Sequence, residues 1–284
     1  MSDSSYFEIL LEYWLPLCAV LGLLVGSFLN VVILRLPKAM EAQWKRDAAE
    51  YLELDPPADS QAPGLVFPAS HCPSCGNSLR WWHNIPVLSY VLLRGRCAYC
   101  KSAISIQYPV IEVLAAILAV WAGLHFGLNW QGITAIGLGW ALLTLTVIDQ
   151  RTQLLPDVIV LPLLWAGLLI NIQGTFVPLE DAVIGAAAGY LSLWLVYQIF
   201  LKLTGKHGMG FGDFKLLAAL GAWMGWASLP WIVLLSSVVG LAWALVLMIV
   251  GRMDRGQPMP FGPFLAVAGW IQLVQSDLIP RLLS

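Results

Sequence analysis

Residues 229–250 read LPWIVLLSSVVGLAWALVLMIV, a run without one charged side chain. A helix of that length rises about 33 Å, and crossing the hydrocarbon core of a bilayer takes about 20 mostly apolar residues. The same texture recurs at Tyr13–Leu36, Tyr108–Leu128, Gly132–Ile148, Val158–Ile172, Ala182–Leu203, Phe214–Ala227 and Phe261–Val274, which makes eight expected spans. The whole chain agrees: 59% of its 284 residues are hydrophobic and 11% charged, against about 25% charged in a soluble domain. The sequence therefore predicts an all-α polytopic membrane protein and excludes a soluble globular one. The amino-terminal run is too long for a cleavable signal, and Asp3 and Glu8 precede it where a signal would be basic.

Charge orients the spans. With the amino terminus outside and eight crossings, the inside receives every Lys and Arg from Arg35 to Arg255, and the outside only Arg281. Such a bias follows the positive-inside rule, and losing one mid-chain crossing would scramble it. Both termini are expected outside. No nucleic-acid partner is expected.

Three regions follow: a first span over 1–36, a cytosolic loop over 37–107, and a membrane core over 108–284. Within the loop, Ala39–Leu54 reads as a short helix with a Glu41–Lys45 pair at i,i+4 and an apolar face of Trp44, Ala48 and Tyr51. Asp55-Pro56-Pro57 ends it, and a polar linker leads to Pro63.

Cys72-Pro-Ser-Cys75 and Cys97-Ala-Tyr-Cys100 then form two paired motifs. Each is a knuckle offering two thiolates, and two knuckles close a tetrahedral four-thiolate site for structural zinc. Two disulfides or a thiol relay are the competing readings, and a cytosolic loop disfavours both because thiols stay reduced there. Either His71 or His83 could replace a cysteine, although four thiolates already fill the site. A unit this small has little core, so metal binding would supply folding energy.

Acids in or beside membrane helices are costly and usually functional. Asp149 closes the third span, and Asp213 opens the sixth at the end of Gly208-Met-Gly-Phe-Gly-Asp213. Both fall on the cytosolic side. Gly210 and Gly212 would let an extended substrate strand approach the backbone. Two carboxyls brought together hold one proton between them, so one activates water while the other protonates the carbonyl or the leaving amine. Ordinary roles compete. Asp149 could pair with Arg151, Asp213 could cap its helix or pair with Lys215, Asp157 could N-cap the fourth span, and Glu112 could snorkel or pair with Lys101.

Gly210-Phe211-Gly212-Asp213 resembles the GxGD signature of membrane aspartyl proteases. With Gly22, Gly26, Ser27, Phe28 and Asn30, the four cysteines, Asp149 through Pro156-Asp157, and Pro260-Phe261-Gly262-Pro263, nearly the whole chain resembles the bacterial type IV prepilin peptidase family. The resemblance implies removal of short basic leaders from type IV prepilins and type II secretion pseudopilins at the cytosolic face. It also implies N-methylation of the new amino terminus by S-adenosylmethionine. Asp149 and Asp213 match the family's catalytic pair, and the cysteines its loop motif. Gly95 is a candidate for close approach of the methyl donor or simply a turn glycine. The rivals are an ion-coupled transporter, a membrane thiol oxidoreductase, or a structural subunit of a secretion complex.

Overall fold

A computed structural model of the chain describes residues 10–55, 64–65, 67–251 and 259–275. The expected positions of both termini, the 56–63 linker, and the Arg252 to Arg255 loop fall outside the described residues. Those described are helical or irregular, with two isolated β-bridges and no strand. The chain divides into two compact units after Thr144.

In the first unit a π-helical turn, Leu10–Trp14, leads into α1, Leu15–Tyr51. Here the expectation of a helix from Ala39 separate from that of the first span is corrected. One helix of 37 residues runs through both, with Pro37 inside it. Proline forfeits one backbone hydrogen bond, and the apolar and charged halves on either side supply the remaining helix-favouring residues. The Glu41–Lys45 ion pair forms at 3.2 Å. The expected Trp44–Ala48–Tyr51 face is not the buried one: those residues are exposed, while Ala42 and Ala49 are buried. The rest of the unit comprises α2, Leu88–Leu92, then α3, Gln107–Phe126, and the first part of α4, Trp130–Thr152.

The crossing of α1 and α3 is made by small residues. A Cβ at Gly22 would collide with the Ala116 backbone, and one at Gly26 would lie 2.6 Å from the Glu112 Cα. Between membrane helices, where apolar burial gains little, such close backbone approach supplies the packing. The Trp140 indole on α4 donates to the Ala115 carbonyl at 3.0 Å.

The second unit holds the end of α4, then α5, Asp157–Ile170; α6, Leu179–Thr204; α7, Phe211–Met224; α8, Leu229–Ile249; and α9, Gly262–Val274. Its centre is α7, buried from Leu216 to Met224 without interruption. Gly185 and Gly189 of α6 meet the backbone of Gly221 and Leu217. From α5, Gly167 lies against Trp223, whose indole donates to the Leu163 carbonyl at 2.8 Å. Asn171 then donates to the Ala222 and Trp223 carbonyls at 2.9 and 3.1 Å. Those carbonyls belong to the last turn of α7, where no intrahelical partner remains. Gly269 of α9 seats Leu220 on another side.

Each of the eight expected spans falls on one helix. Among the described residues, five helices are long and apolar enough to cross a membrane by themselves, and α5 and α9 are shorter apolar helices.

Candidate active site and metal centre

The cysteine loop is two copies of one local structure. In the first, the Cys72 N–H donates to the Asn77 carbonyl at 3.0 Å and the Gly76 N–H to the Cys72 carbonyl at 2.9 Å. In the second, Cys97 donates to Ser102 at 2.8 Å and Lys101 to Cys97 at 3.1 Å. The bridges His71–Ser78 and Arg96–Ala103 close the two loops at matching places. The fifth position of each is left-handed, Gly76 at φ 70° and Lys101 at φ 61°. Glycine takes that conformation freely and lysine does not.

The two knuckles bring all four sulfurs within 4.8 Å of one another, with Cys72 Sγ to Cys100 Sγ at 3.8 Å. A tetrahedron with zinc–sulfur arms of about 2.3 Å has edges of about 3.8 Å, so the donor set fits a four-thiolate metal site. The backbone amides of Cys75 and Ser74, helped by Ser102, draw the Cys72 thiol down to about 6. At Cys75 the Asn77 backbone pulls the other way from burial and the neighbouring Cys100 and Cys72, which prevail and leave it at about 11. The Ser102 hydroxyl lies 3.1 Å from Cys100 Sγ and 3.7 Å from Cys72 Sγ. Neither histidine joins the sulfurs: His71 Nδ1 contacts the Ala69 carbonyl, and the His83 ring packs edge-on to Trp82 and Tyr99. Gly95 has φ 67°, and a Cβ there would lie 2.9 Å from the Tyr90 hydroxyl. Those features suit a turn glycine under a tyrosine.

The second unit brings Asp149 and Asp213 together. Both are buried, at 4% and 8% exposure, and their carboxyls interact electrostatically. Asp213 is the third residue of α7, with Gly210 at the N-cap and its backbone within hydrogen-bonding reach of the carboxyl. This is one half of a capping box, in which an acid at N3 reaches back to the N-cap N–H. The glycines act sterically. A Cβ on Gly212 would lie 2.8 Å from the Leu155 Cβ, whereas Gly210 is open, with its nearest contact 3.9 Å away at Asp213 Oδ2.

Asp149 has a partner the sequence did not reveal. The Gly262 N–H, at the start of α9, donates to Asp149 Oδ2 at 3.0 Å. A Cβ on Gly262 would lie 2.7 Å from that oxygen and 3.1 Å from Leu155. Leu155 therefore sits between the two glycines that approach the acids. Tyr197 also escaped the sequence reading. Its hydroxyl shares a 2.7 Å hydrogen bond with His207 Nδ1, and its ring packs on Phe211 and Phe214. This contact fastens the glycine strap before α7 to the buried side of α6.

The competing acids go elsewhere. Asp157 opens α5 at its first residue, so Pro156 holds the N-cap position that Asp157 was expected to fill. Its carboxylate instead takes the Lys215 ammonium at 2.7 and 2.8 Å. Lys215, two residues on from Asp213, is thereby committed to Asp157. Glu112 is buried and accepts the Val87 N–H at 2.8 Å, so it does not snorkel.

Most of the chain matches known proteins. Residues 20–126 match the bacterial peptidase A24 N-terminal domain, and residues 136–245 the type IV leader peptidase family. A prepilin leader peptidase/N-methyltransferase of Pseudomonas aeruginosa is 52% identical over 266 residues, covering 93% of this chain and 92% of that protein. Proteins of the same description from Xanthomonas campestris and Neisseria gonorrhoeae are 51% and 49% identical, covering 90% and 99% of this chain and 89% and 96% of their own. No solved structure matches.

Proposed function

Because the chain belongs to the type IV leader peptidase family, we propose that it removes leader peptides from prepilins and pseudopilins and then methylates the new amino terminus. The protein is a membrane peptidase with N-methyltransferase activity. The observation that carries the peptidase assignment to particular residues is the burial of Asp149 and Asp213 in one electrostatic environment.

In this reading the pair holds a single proton. The ionised member takes a proton from water as the oxygen attacks the scissile carbonyl carbon. The protonated member gives its proton to the carbonyl oxygen, and the proton taken from water passes to the amine nitrogen as the C–N bond breaks. The shared proton belongs to the pair and to neither residue. The Gly262 N–H fixes one oxygen of Asp149 and leaves the other for water. Leu155 packs against Gly212 and Gly262 beside the acids, and the open face at Gly210 leaves room for an extended substrate backbone.

The remaining assignments rest on charge and chemistry. Eight helices cross the inner membrane with the termini in the periplasm, which keeps the cysteine loop and the acids with the basic leader in the cytosol. Residues 1–36 form the first crossing, 37–107 the cytosolic loop and 108–284 the peptidase core. The pilin's apolar helix stays in the bilayer. Zinc is the metal of the four thiolates and has a structural role, since no open coordination position remains. S-adenosylmethionine supplies the methyl group, whose carbon passes from sulfur to the amine nitrogen while the S–C electron pair returns to sulfur and a proton leaves the amine.

The test is cleavage of a purified prepilin in liposomes. Asp149→Asn and Asp213→Asn should each slow leader removal by at least about a thousandfold, within the range for losing an acid–base group, with zinc content and helicity unchanged. A variant that cuts at the wild-type rate would remove its residue from the pair.

A further inference from the structure

One polar cluster in the first unit has no part in cleavage or in holding the metal. Glu112 lies near the start of α3 and is 6% exposed. Its carboxyl accepts the Val87 N–H at 2.8 Å and a hydrogen bond from Ser27. Asn30, on α1, is 1% exposed. Its amide nitrogen donates to the Gly26 carbonyl at 3.2 Å and the Tyr108 carbonyl at 3.1 Å. Only the NH2 end can serve two carbonyls, which fixes the amide's orientation. The other end, Asn30 Oδ1, is buried with no partner.

These groups share one seam. Ser27 and Asn30 are three apart on α1, and Tyr108 and Glu112 are four apart on α3, so each pair lies on one face of its helix. The bonds Ser27–Glu112 and Asn30–Tyr108 set the two faces against each other. The seam is rich in acceptors and poor in donors. A carboxylate can accept at about four sites, and Val87 and Ser27 fill two. Among the described residues no Lys, Arg or His pairs with Glu112. A buried carboxylate without a cation and a buried carbonyl without a donor are both costly. A primary ammonium, with three donors and no acceptor, would satisfy both.

A second observation lies beside it. Val87 has φ 58° and ψ −48°, and the Leu88 N–H reaches the Pro86 carbonyl at 2.5 Å across it. This is a γ-turn of the rare, strained kind, here centred on a β-branched residue. Strain of this sort persists where surrounding bonds enforce it, and it concentrates at ligand clamps and active sites. The N–H of the residue at the turn's centre is the one that Glu112 accepts.

We propose that Glu112, Asn30 and Ser27 form a binding site for a primary ammonium group that serves methyl transfer. The proposal rests on the methyltransferase reading above. Both reactants of that step carry the group: the amino acid part of the methyl donor and the new amino terminus of the cut pilin.

The experiment uses full-length protein with a prepilin substrate. It follows leader removal, methylation by mass spectrometry, and equilibrium binding of S-adenosylmethionine. Glu112→Gln keeps the shape and an acceptor for Val87 but removes the charge. It should cut within about twofold of wild type and methylate at least about tenfold more slowly, a modest share of what breaking a buried charge pair costs. If the ammonium is the donor's, S-adenosylmethionine binding weakens by a similar factor. If it is the pilin's, that binding is unchanged and half-maximal methylation needs about tenfold more cut pilin. Methylation at the wild-type rate would overturn the proposal, and so would equal loss of cleavage and methylation, which marks a purely structural carboxylate. Wild type that cuts but neither binds S-adenosylmethionine nor methylates would instead sink the methyltransferase reading, and this site with it.

Discussion

The cysteine loop and the aspartate pair are assembled in opposite ways. Each knuckle closes on itself within a few residues, and the four sulfurs of the pair lie at most 28 positions apart. The aspartates draw on α4, α7 and α9, with a bond from Asp149 to a residue 113 positions away. The first is made by turns and the second by packing. A turn-built site tolerates change in the helices around it, whereas a packed site feels every added methyl group. That difference can be tested by substitution at three positions, starting with the packed site.

Gly262→Ala would place a methyl group 2.7 Å from Asp149 Oδ2. Displacing a catalytic acid by about 1 Å can cost about a hundredfold, so kcat for leader removal should fall by that order. Zinc content should stay at the wild-type level. Cleavage at the wild-type rate would mean that the α9 contact does not position the acid.

Ser102→Ala acts on the turn-built site and removes a hydroxyl shared by Cys100 and Cys72. Loss of such a partner lowers metal affinity by about 10–100-fold, which competition with a chromophoric chelator would measure. Leader removal with zinc in excess should be unaffected. In the metal-free loop Cys75 keeps its proton at neutral pH, since its thiol sits at about 11 while that of Cys72 sits at about 6. Zinc uptake must therefore expel a proton, and affinity should rise with pH across the neutral range. Uptake without proton release would contradict a four-thiolate site.

The smallest effect should be a gain. Lys101 occupies the left-handed position that Gly76 fills in the sister knuckle. Lys101→Gly should relieve about 1 kcal/mol of strain, visible as slower zinc loss to a chelator. Faster loss would mean that the lysine side chain contributes more than its backbone costs.

The same contrast explains what could be read from the sequence. The membrane class, the eight helical segments and the paired cysteines are local in sequence, through apolar run length and ligand spacing. Asp149 and Asp213 drew notice as acids at helix ends, but nothing local says that they meet. Gly262, Leu155 and Tyr197 carry no chemical label, and their roles exist only once distant helices pack. The continuity of α1 was missed because Pro37 and a change from apolar to charged residues imitate a helix end. Asp157 imitated a cap because its partner, Lys215, lies 58 positions on.

The burial of α7 has one further consequence. Its 14 residues rise about 21 Å, short of the roughly 30 Å of a bilayer's hydrocarbon core. A lone helix of that length would pinch the membrane around it. Here its neighbours meet it along its whole buried length, and glycines on α6 lock it against sliding. The depth of Asp213 is therefore set by protein contacts and not by lipid. Changes in membrane thickness fall on α6 and α8, whose apolar faces are exposed. The level of the acid then follows the packing of the protein around it.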